Sequence, residues 1–105
     1  MKKQVITSLS LIILTVPFAC KKTTTKTTYN TDIKTIMTDK CTNCHNGVTS
    51  SDLTTYATVK TGVSNILARM NQAEGTPGFM PQGGAKTQAN IDKITKWQSD
   101  GLLEK

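Results

Sequence analysis

The stretch Cys41-Thr42-Asn43-Cys44-His45 restricts the fold of this chain more than any other part of its sequence: two cysteines three positions apart precede its single histidine. The chain has 105 residues, 36% of them apolar, so it allows one small domain with a modest core. Such a domain buries a limited share of its surface and generally needs a disulfide, a metal or a cofactor for stability. The two cysteines and the histidine are the residues available to supply one.

Several kinds of site use paired cysteines. Zinc needs four ligands, and the chain has no second histidine and only one further cysteine, Cys20. A thioredoxin-like redox pair needs a βαβ context that the sequence lacks, and a disulfide between Cys41 and Cys44 would leave His45 without a role. C-x-x-C-H is the attachment motif for c-type haem. We therefore expect one covalent haem c, bound through Cys41 and Cys44, with His45 on the iron.

The N-terminus has the pattern of an export signal. Two lysines precede an apolar stretch, Val5 to Ala19, which is too short to span a bilayer comfortably. A small residue before a cysteine, here Ala19-Cys20, resembles the lipobox of bacterial lipoproteins. We expect residues 1–19 to be a lipoprotein-type signal peptide and Cys20 to be lipidated, on the periplasmic side of a bacterial membrane, inner or outer. The alternative is a plain secretory signal with Cys20 as an incidental thiol.

The segment after Cys20 is polar. Residues 21–28 read KKTTTKTT and contain no apolar side chain, which predicts a solvated tether over 20–28 and a folded domain over 29–105. The net charge of the chain is +6, but its sequence contains a single arginine and no cluster of basic residues interleaved with aromatic residues. Nucleic-acid binding is therefore not expected.

Apolar residues at helical spacing predict an all-α fold of about four short helices, and no alternating strand pattern competes. The predicted helices cover approximately 30–40, 51–62, 63–70 and 87–100. Their expected N-caps are Asn30 or Thr31, then Ser50 or Ser51, and Thr87. Gly62 is expected to end or bend the second helix, and Gly101 to follow the last one at the C′ position. Glycines and prolines between 71 and 86 exclude regular structure there.

A second axial ligand on the iron is expected, and methionine is the candidate because the only histidine is already assigned. Met37 and Met70 belong to apolar stripes of predicted helices, so we expect both in the core. Met80 lies in the irregular segment, directly before Pro81 and 35 residues after His45. Met80 is therefore the predicted distal ligand.

From about Tyr29 to Leu102 the chain resembles the class I cytochrome c family, in particular the short single-haem domains of bacterial lipoproteins. The resemblance rests on Cys41-x-x-Cys44-His45, on Met80-Pro81 with Gly83-Gly84, and on a terminal helix with Ile94 and Trp97. It implies thioether bonds at both motif cysteines, proximal and distal ligation by His45 and Met80, and packing of Trp97 on the N-terminal helix near the haem. The chain departs from the family at Met37, usually an aromatic residue, and at Ile33, usually a glycine.

These expectations define a function. Iron with His and Met on its two axial positions has no open site for oxygen or peroxide. The sequence has no nucleophile–base pair or phosphate-binding loop, so we do not expect an enzyme. The predicted function is one-electron transfer by a monomeric, membrane-anchored carrier with redox partner proteins in the cell envelope. A haem subunit of a multi-chain redox enzyme and a haem-based ligand sensor are the alternatives.

Overall fold

The computed structural model describes residues 14–20, 24–48 and 50–105. Most of the predicted signal peptide and part of the predicted tether, residues 1–13 and 21–23, lie outside the described residues, as does Thr49.

The described part of the chain is helical. A π-helical turn, Tyr29–Ile33, runs directly into α1 (Lys34–Lys40), and α2 (Tyr56–Met70) and α3 (Gln88–Ser99) follow. These residues form no β-strand; one isolated parallel bridge joins Thr28 and Leu103. The predicted all-α class is confirmed. No helix among the described residues has the length and apolar character needed to cross a membrane.

The first helical segment begins slightly earlier than predicted. Thr28 is its N-cap, and the Thr28 hydroxyl accepts a hydrogen bond from the amide of Thr31 at 3.4 Å. The amide of Lys34 donates to the carbonyl of Tyr29, which gives the wider π turn before α1. Four side chains of this segment are buried in the core: Tyr29, Ile33, Ile36 and Met37.

One helix, α2, occupies the region for which two helices were predicted. Its N-cap is Thr55, which forms a reciprocal capping box with Thr58, instead of Ser50 or Ser51. Gly62 lies inside the helix, between the buried side chains of Val59 and Val63. A glycine in a helix interior costs about 1 kcal/mol relative to alanine, and the packing of the flanking valines offsets that cost. The predicted break at Gly62 is wrong, because α2 is one continuous helix. The described residues therefore form three α-helices and a π-helical turn, where about four short helices were predicted.

The last helix agrees with the sequence prediction at both ends. Thr87 is the N-cap of α3, and Gly101 has a φ of 102° in the C′ position. The amide of Leu102 donates to Trp97 at 3.0 Å and that of Gly101 to Gln98 at 3.3 Å, which is a Schellman motif.

Three aromatic rings form the centre of the core. The centroid of Trp97 lies 6.0 Å from that of Tyr29 and 6.4 Å from that of Tyr56, and the two tyrosines are 5.5 Å apart. Trp97 is fully buried, and its indole N–H donates to the carbonyl of Leu103 at 2.8 Å. Trp97 therefore packs on the N-terminal helical segment, which is the packing that the family resemblance implied, while its expected position near a haem stays a prediction.

Contacts with the domain start before residue 29. Thr27, expected in a solvated tether, is only 6% exposed. The amide of Tyr29 donates to Leu103 at 2.8 Å and the amide of Asn30 to Glu104 at 3.1 Å. The side-chain ammonium of Lys96 also donates a hydrogen bond to the carbonyl of Thr25 at 3.3 Å. Residues 25–28 are thus held against the C-terminal end of the chain.

Candidate functional site

A cavity of about 1070 Å³ lies between the cysteine motif, α2, the irregular segment after α2 and the start of α3. Its volume is slightly above the range of about 300–1,000 Å³ that is typical of cofactor and ligand pockets. The lining residues include the four that the sequence assigned to haem binding: Cys41, Cys44, His45 and Met80. The fold therefore brings these four residues to one cavity, although Met80 is 35 residues away from His45.

The motif is positioned by tight turns at the end of α1. The amide of Cys41 donates to Met37 at 2.9 Å, and the amides of Cys44 and His45 return to the carbonyl of Cys41 at 3.2 and 2.8 Å. Cys41 is half-buried, and burial raises the pKa of its thiol, which favours the protonated form. Cys44 is exposed. The turns thus place both cysteines and the histidine along one wall of the cavity.

His45 is oriented by oxygen atoms on one side of its ring. Its Nδ1 lies 3.2 Å from the carbonyl oxygen of Ser51 and 3.2 Å from the hydroxyls of both Ser50 and Ser51. A carbonyl oxygen only accepts hydrogen bonds, so the proton belongs on Nδ1 and the Nε2 lone pair is available. Histidines that ligate metals commonly have this arrangement.

The roles of Ser50 and Ser51 were not predicted, because the sequence placed them at the start of a helix. In the structure they precede α2 and lie beside His45, with the Ser50 hydroxyl also donating to the carbonyl of Cys44 at 2.7 Å. Leu53 closes the same loop through its amide, which donates to the carbonyl of His45 at 2.9 Å. Serine close after a histidine is too common in sequences to signal this contact.

The three methionines of the domain lie in different surroundings. Met37 and Met70 are buried in the core, at 1% and 7% exposure, as predicted. Met80 is half-buried on the cavity wall, and its amide donates to the carbonyl of Arg69 at 3.4 Å. Met70 also borders the cavity from the last turn of α2, so two methionines line its wall.

The charged groups around the cavity are mostly cationic. Lys40, Arg69 and Lys86 line it, and Asp52 is the one acidic residue in the described lining. Hydrogen bonds from the side chain and backbone of Thr54 hold the pKa of Asp52 below its usual value, so that carboxylate is ionised. The three cationic side chains outnumber this carboxylate and favour an anionic group in the cavity.

Arg69 lies against the segment that contains Met80. A Cβ built on Gly78 would come within 2.3 Å of an Arg69 guanidinium nitrogen, and Gly78 has a φ of 90°. A side chain at position 78 would displace the Arg69 guanidinium, and the positive φ by itself favours glycine there. Within the described residues, no carboxylate forms a salt bridge with Arg69; the one ion pair found there joins Lys96 and Asp100.

Cys20, the predicted lipidation site, is exposed, in a segment without regular structure, and is not among the cavity residues. In the described part of the chain, no group of three or more His, Cys, Asp or Glu side chains is arranged to hold a metal ion directly.

Comparisons of the chain with protein-family models, with curated proteins and with solved structures found no match. The residues of the chain itself are therefore what indicates its function.

Proposed function

We propose that this chain is a c-type cytochrome with one covalent haem and that it transfers single electrons. The observation that supports this most strongly is that Cys41, Cys44, His45 and Met80 border one cavity of about 1070 Å³. A bound haem supplies reversible one-electron exchange between Fe²⁺ and Fe³⁺.

The residues present fit a haem in three respects. The thiols of Cys41 and Cys44 are the thioether-forming groups, and the hydrogen bond at Nδ1 of His45 leaves Nε2 for the iron. The thioether of Met80 is the proposed second axial ligand, a soft donor that favours Fe²⁺.

The remaining cavity wall suits the rest of the cofactor. Leu53, Ile66 and Ile91 give the cavity apolar surface that excludes water from a porphyrin ring. Arg69 and Lys86 supply cations for the two carboxylates that a haem carries. On this basis we propose the finer fold description, a small class I cytochrome c fold around one haem.

The proposed setting is the cell envelope. The export pattern before Cys20 and the lipobox resemblance support a lipid-anchored protein on the periplasmic side, and the absence of a nucleophile–base pair in the sequence supports a carrier, not an enzyme. The proposed partners are redox proteins of the same membrane.

Covalent attachment is tested by producing the chain with a haem-attachment system and measuring the mass of the denatured protein. The wild type is expected to retain one covalent haem. The single variants Cys41→Ala and Cys44→Ala should each hold the haem through one thioether bond, at reduced yield, and the double variant should retain no haem. Cys20→Ala is the matched control, because it removes a cysteine outside the cavity and leaves haem attachment unchanged. A wild-type protein without covalent haem, despite active attachment machinery, contradicts the proposal.

Carbon monoxide separates a carrier from a ligand sensor. With Met80 on the iron, the reduced spectrum is expected to change little under carbon monoxide. Tight binding at low carbon monoxide concentration favours the sensor. Stoichiometric co-purification with a second redox subunit favours a component of a larger enzyme.

A further inference from the structure

The segment that contains Met80 has little regular support. Its internal backbone hydrogen bonds are local turns, such as Phe79 to Thr76 at 3.1 Å and Gly84 to Pro81 at 3.1 Å. Its backbone bond to α2, from the Met80 amide to Arg69, is 3.4 Å long, beyond the usual range of about 2.7–3.2 Å. Neither a helix nor a sheet therefore fixes the position of Met80.

Glu74 and Lys86 join the two ends of this segment. The carboxylate of Glu74 accepts a hydrogen bond from the backbone amide of Lys86, twelve residues later. The Lys86 ammonium donates to the carbonyl of Asn71 at 3.0 Å, so Lys86 is attached to the opposite end of the segment through both its backbone and its side chain. Met80 lies midway, six residues from Glu74 and six from Lys86.

Closing this loop limits where Met80 can go. The buried side chain of Phe79, 3% exposed, fixes the chain directly beside it, and the Glu74–Lys86 contact holds the ends. A bond between a thioether and iron must compensate for the freedom that the loop loses when the bond forms. A loop that other contacts already close loses less conformational freedom when this bond forms, so the methionine binds iron more tightly.

We propose that Glu74 is a positioning residue for Met80: its carboxylate holds the Lys86 amide and so keeps the 74–86 loop in the conformation that presents Met80 to the cavity. The proposal rests on the proposed haem function and adds a determinant of its sixth ligand. Glu74 acts through the loop and does not line the cavity.

Three variants test this in the haem-loaded protein. Glu74→Ala removes the acceptor, Glu74→Gln keeps a carbonyl oxygen at the same place, and Glu104→Ala makes the same charge change at an exposed C-terminal position. Added imidazole competes with Met80 for iron, and its apparent affinity reports how firmly Met80 is held. We expect Glu74→Ala to bind imidazole about fivefold more tightly, the effect of losing one hydrogen bond. Glu74→Gln should lie close to the wild type, and Glu104→Ala should match it.

Amide hydrogen exchange provides a readout independent of iron. The Lys86 amide should exchange faster in Glu74→Ala than in the wild type, while the Leu102 amide in the C-terminal motif of α3 should be unaffected. The proposal is overturned if Glu74→Ala changes neither imidazole affinity nor Lys86 exchange, or if Glu104→Ala has the same effect on imidazole. A wild-type chain that takes up no covalent haem would instead contradict the proposed function itself.

Discussion

The amide of Thr27 donates a 2.7 Å hydrogen bond to the carboxylate of Asp100, 73 residues further along the chain. Lys96, one turn before Asp100, donates to the same carboxylate at 2.5 Å. Asp100 therefore joins the N-terminal segment to the end of α3. In the proposed anchored carrier, only four residues separate Cys20 from Thr25, so the domain lies within about 18 Å of its anchoring residue.

This contact predicts a pH dependence of stability. The hydrogen bond from Lys96, and then the amide of Thr27, lower the pKa of Asp100 in the folded state. An aspartate whose folded pKa lies below its unfolded value of about 3.9 stabilises the fold above that pH, and the contribution is lost as the pH falls through the folded pKa. Urea midpoints at pH 6 and pH 3 measure the loss. It should be smaller in Asp100→Asn than in the wild type.

Asp39→Asn is the control, since Asp39 is exposed at the end of α1. It should lose as much stability between pH 6 and pH 3 as the wild type does. An equal loss in Asp100→Asn and Asp39→Asn would mean that the Asp100 contacts contribute nothing to the acid sensitivity.

Trp97 is the residue whose truncation should destabilise the domain most. It is fully buried between Tyr29 and Tyr56, and it bonds to Leu103. Trp97→Ala is expected to lower the free energy of unfolding by about 3–5 kcal/mol, a large part of the 5–15 kcal/mol typical of a domain. Trp97→Phe keeps an aromatic ring and should cost less. Val48→Ala, at an 84% exposed position, should stay within about 0.5 kcal/mol in the same urea titration.

Local sequence signals predicted a substantial part of the fold. The apolar periodicity predicted helices over 30–40 and 87–100, and both are helical. The glycine after α3 has the expected positive φ, and the glycine- and proline-rich segment 71–86 contains no helix or strand. Each depends on short-range chemistry that can be recognised from a few neighbouring residues. Local context also named the cysteine motif and Met80 as candidate site residues; the fold brings them to one cavity, and their roles as haem ligands stay predictions.

Features that depend on distant contacts were not predictable in this way. The Gly62 break was expected from intrinsic preference, whereas burial of Val59 and Val63 keeps α2 continuous. Thr27 is buried because of Asp100, and nothing in a threonine-rich segment indicates that partner. The contacts of Ser50 and Ser51 with His45 likewise depend on how the loop before α2 folds back.

Gly62 provides a test of what fills the cavity. It lines the cavity from α2, and a Cβ built there would lie 3.9 Å from Ile66 and 3.9 Å from Leu53, in ordinary contact. A leucine at 62 would extend further into the space proposed for haem. Gly62→Leu is therefore expected to reduce the covalent haem per protein severely while far-ultraviolet circular dichroism still reports helix.

Ala68→Leu introduces the same side chain on the exposed face of the same helix, away from the cavity. Its haem content, measured as haem absorbance relative to protein mass, should equal that of the wild type. Full haem loading of Gly62→Leu would place the cofactor elsewhere and contradict the assignment of this cavity.

Variants of the two methionines on the cavity wall test which of them is the second axial ligand of the proposed haem. Met80 is half-buried in the irregular segment, whereas Met70 is 7% exposed and belongs to the core. Met80→Ala should leave the iron without its sulfur ligand. The oxidised protein should then lose the weak far-red sulfur-to-iron absorption band, and the reduction potential should fall, because a soft ligand that favours Fe²⁺ is gone.

Met70→Leu is the matched variant, because it exchanges one apolar side chain for another of similar size and should cost less than about 1.5 kcal/mol of stability. If Met80 is the ligand, Met70→Leu keeps both the far-red band and the potential. If Met70→Leu abolishes the band and Met80→Ala preserves it, the last turn of α2 supplies the ligand. The role proposed for Glu74 would then fail as well, because that role depends on Met80 being the residue bound to iron.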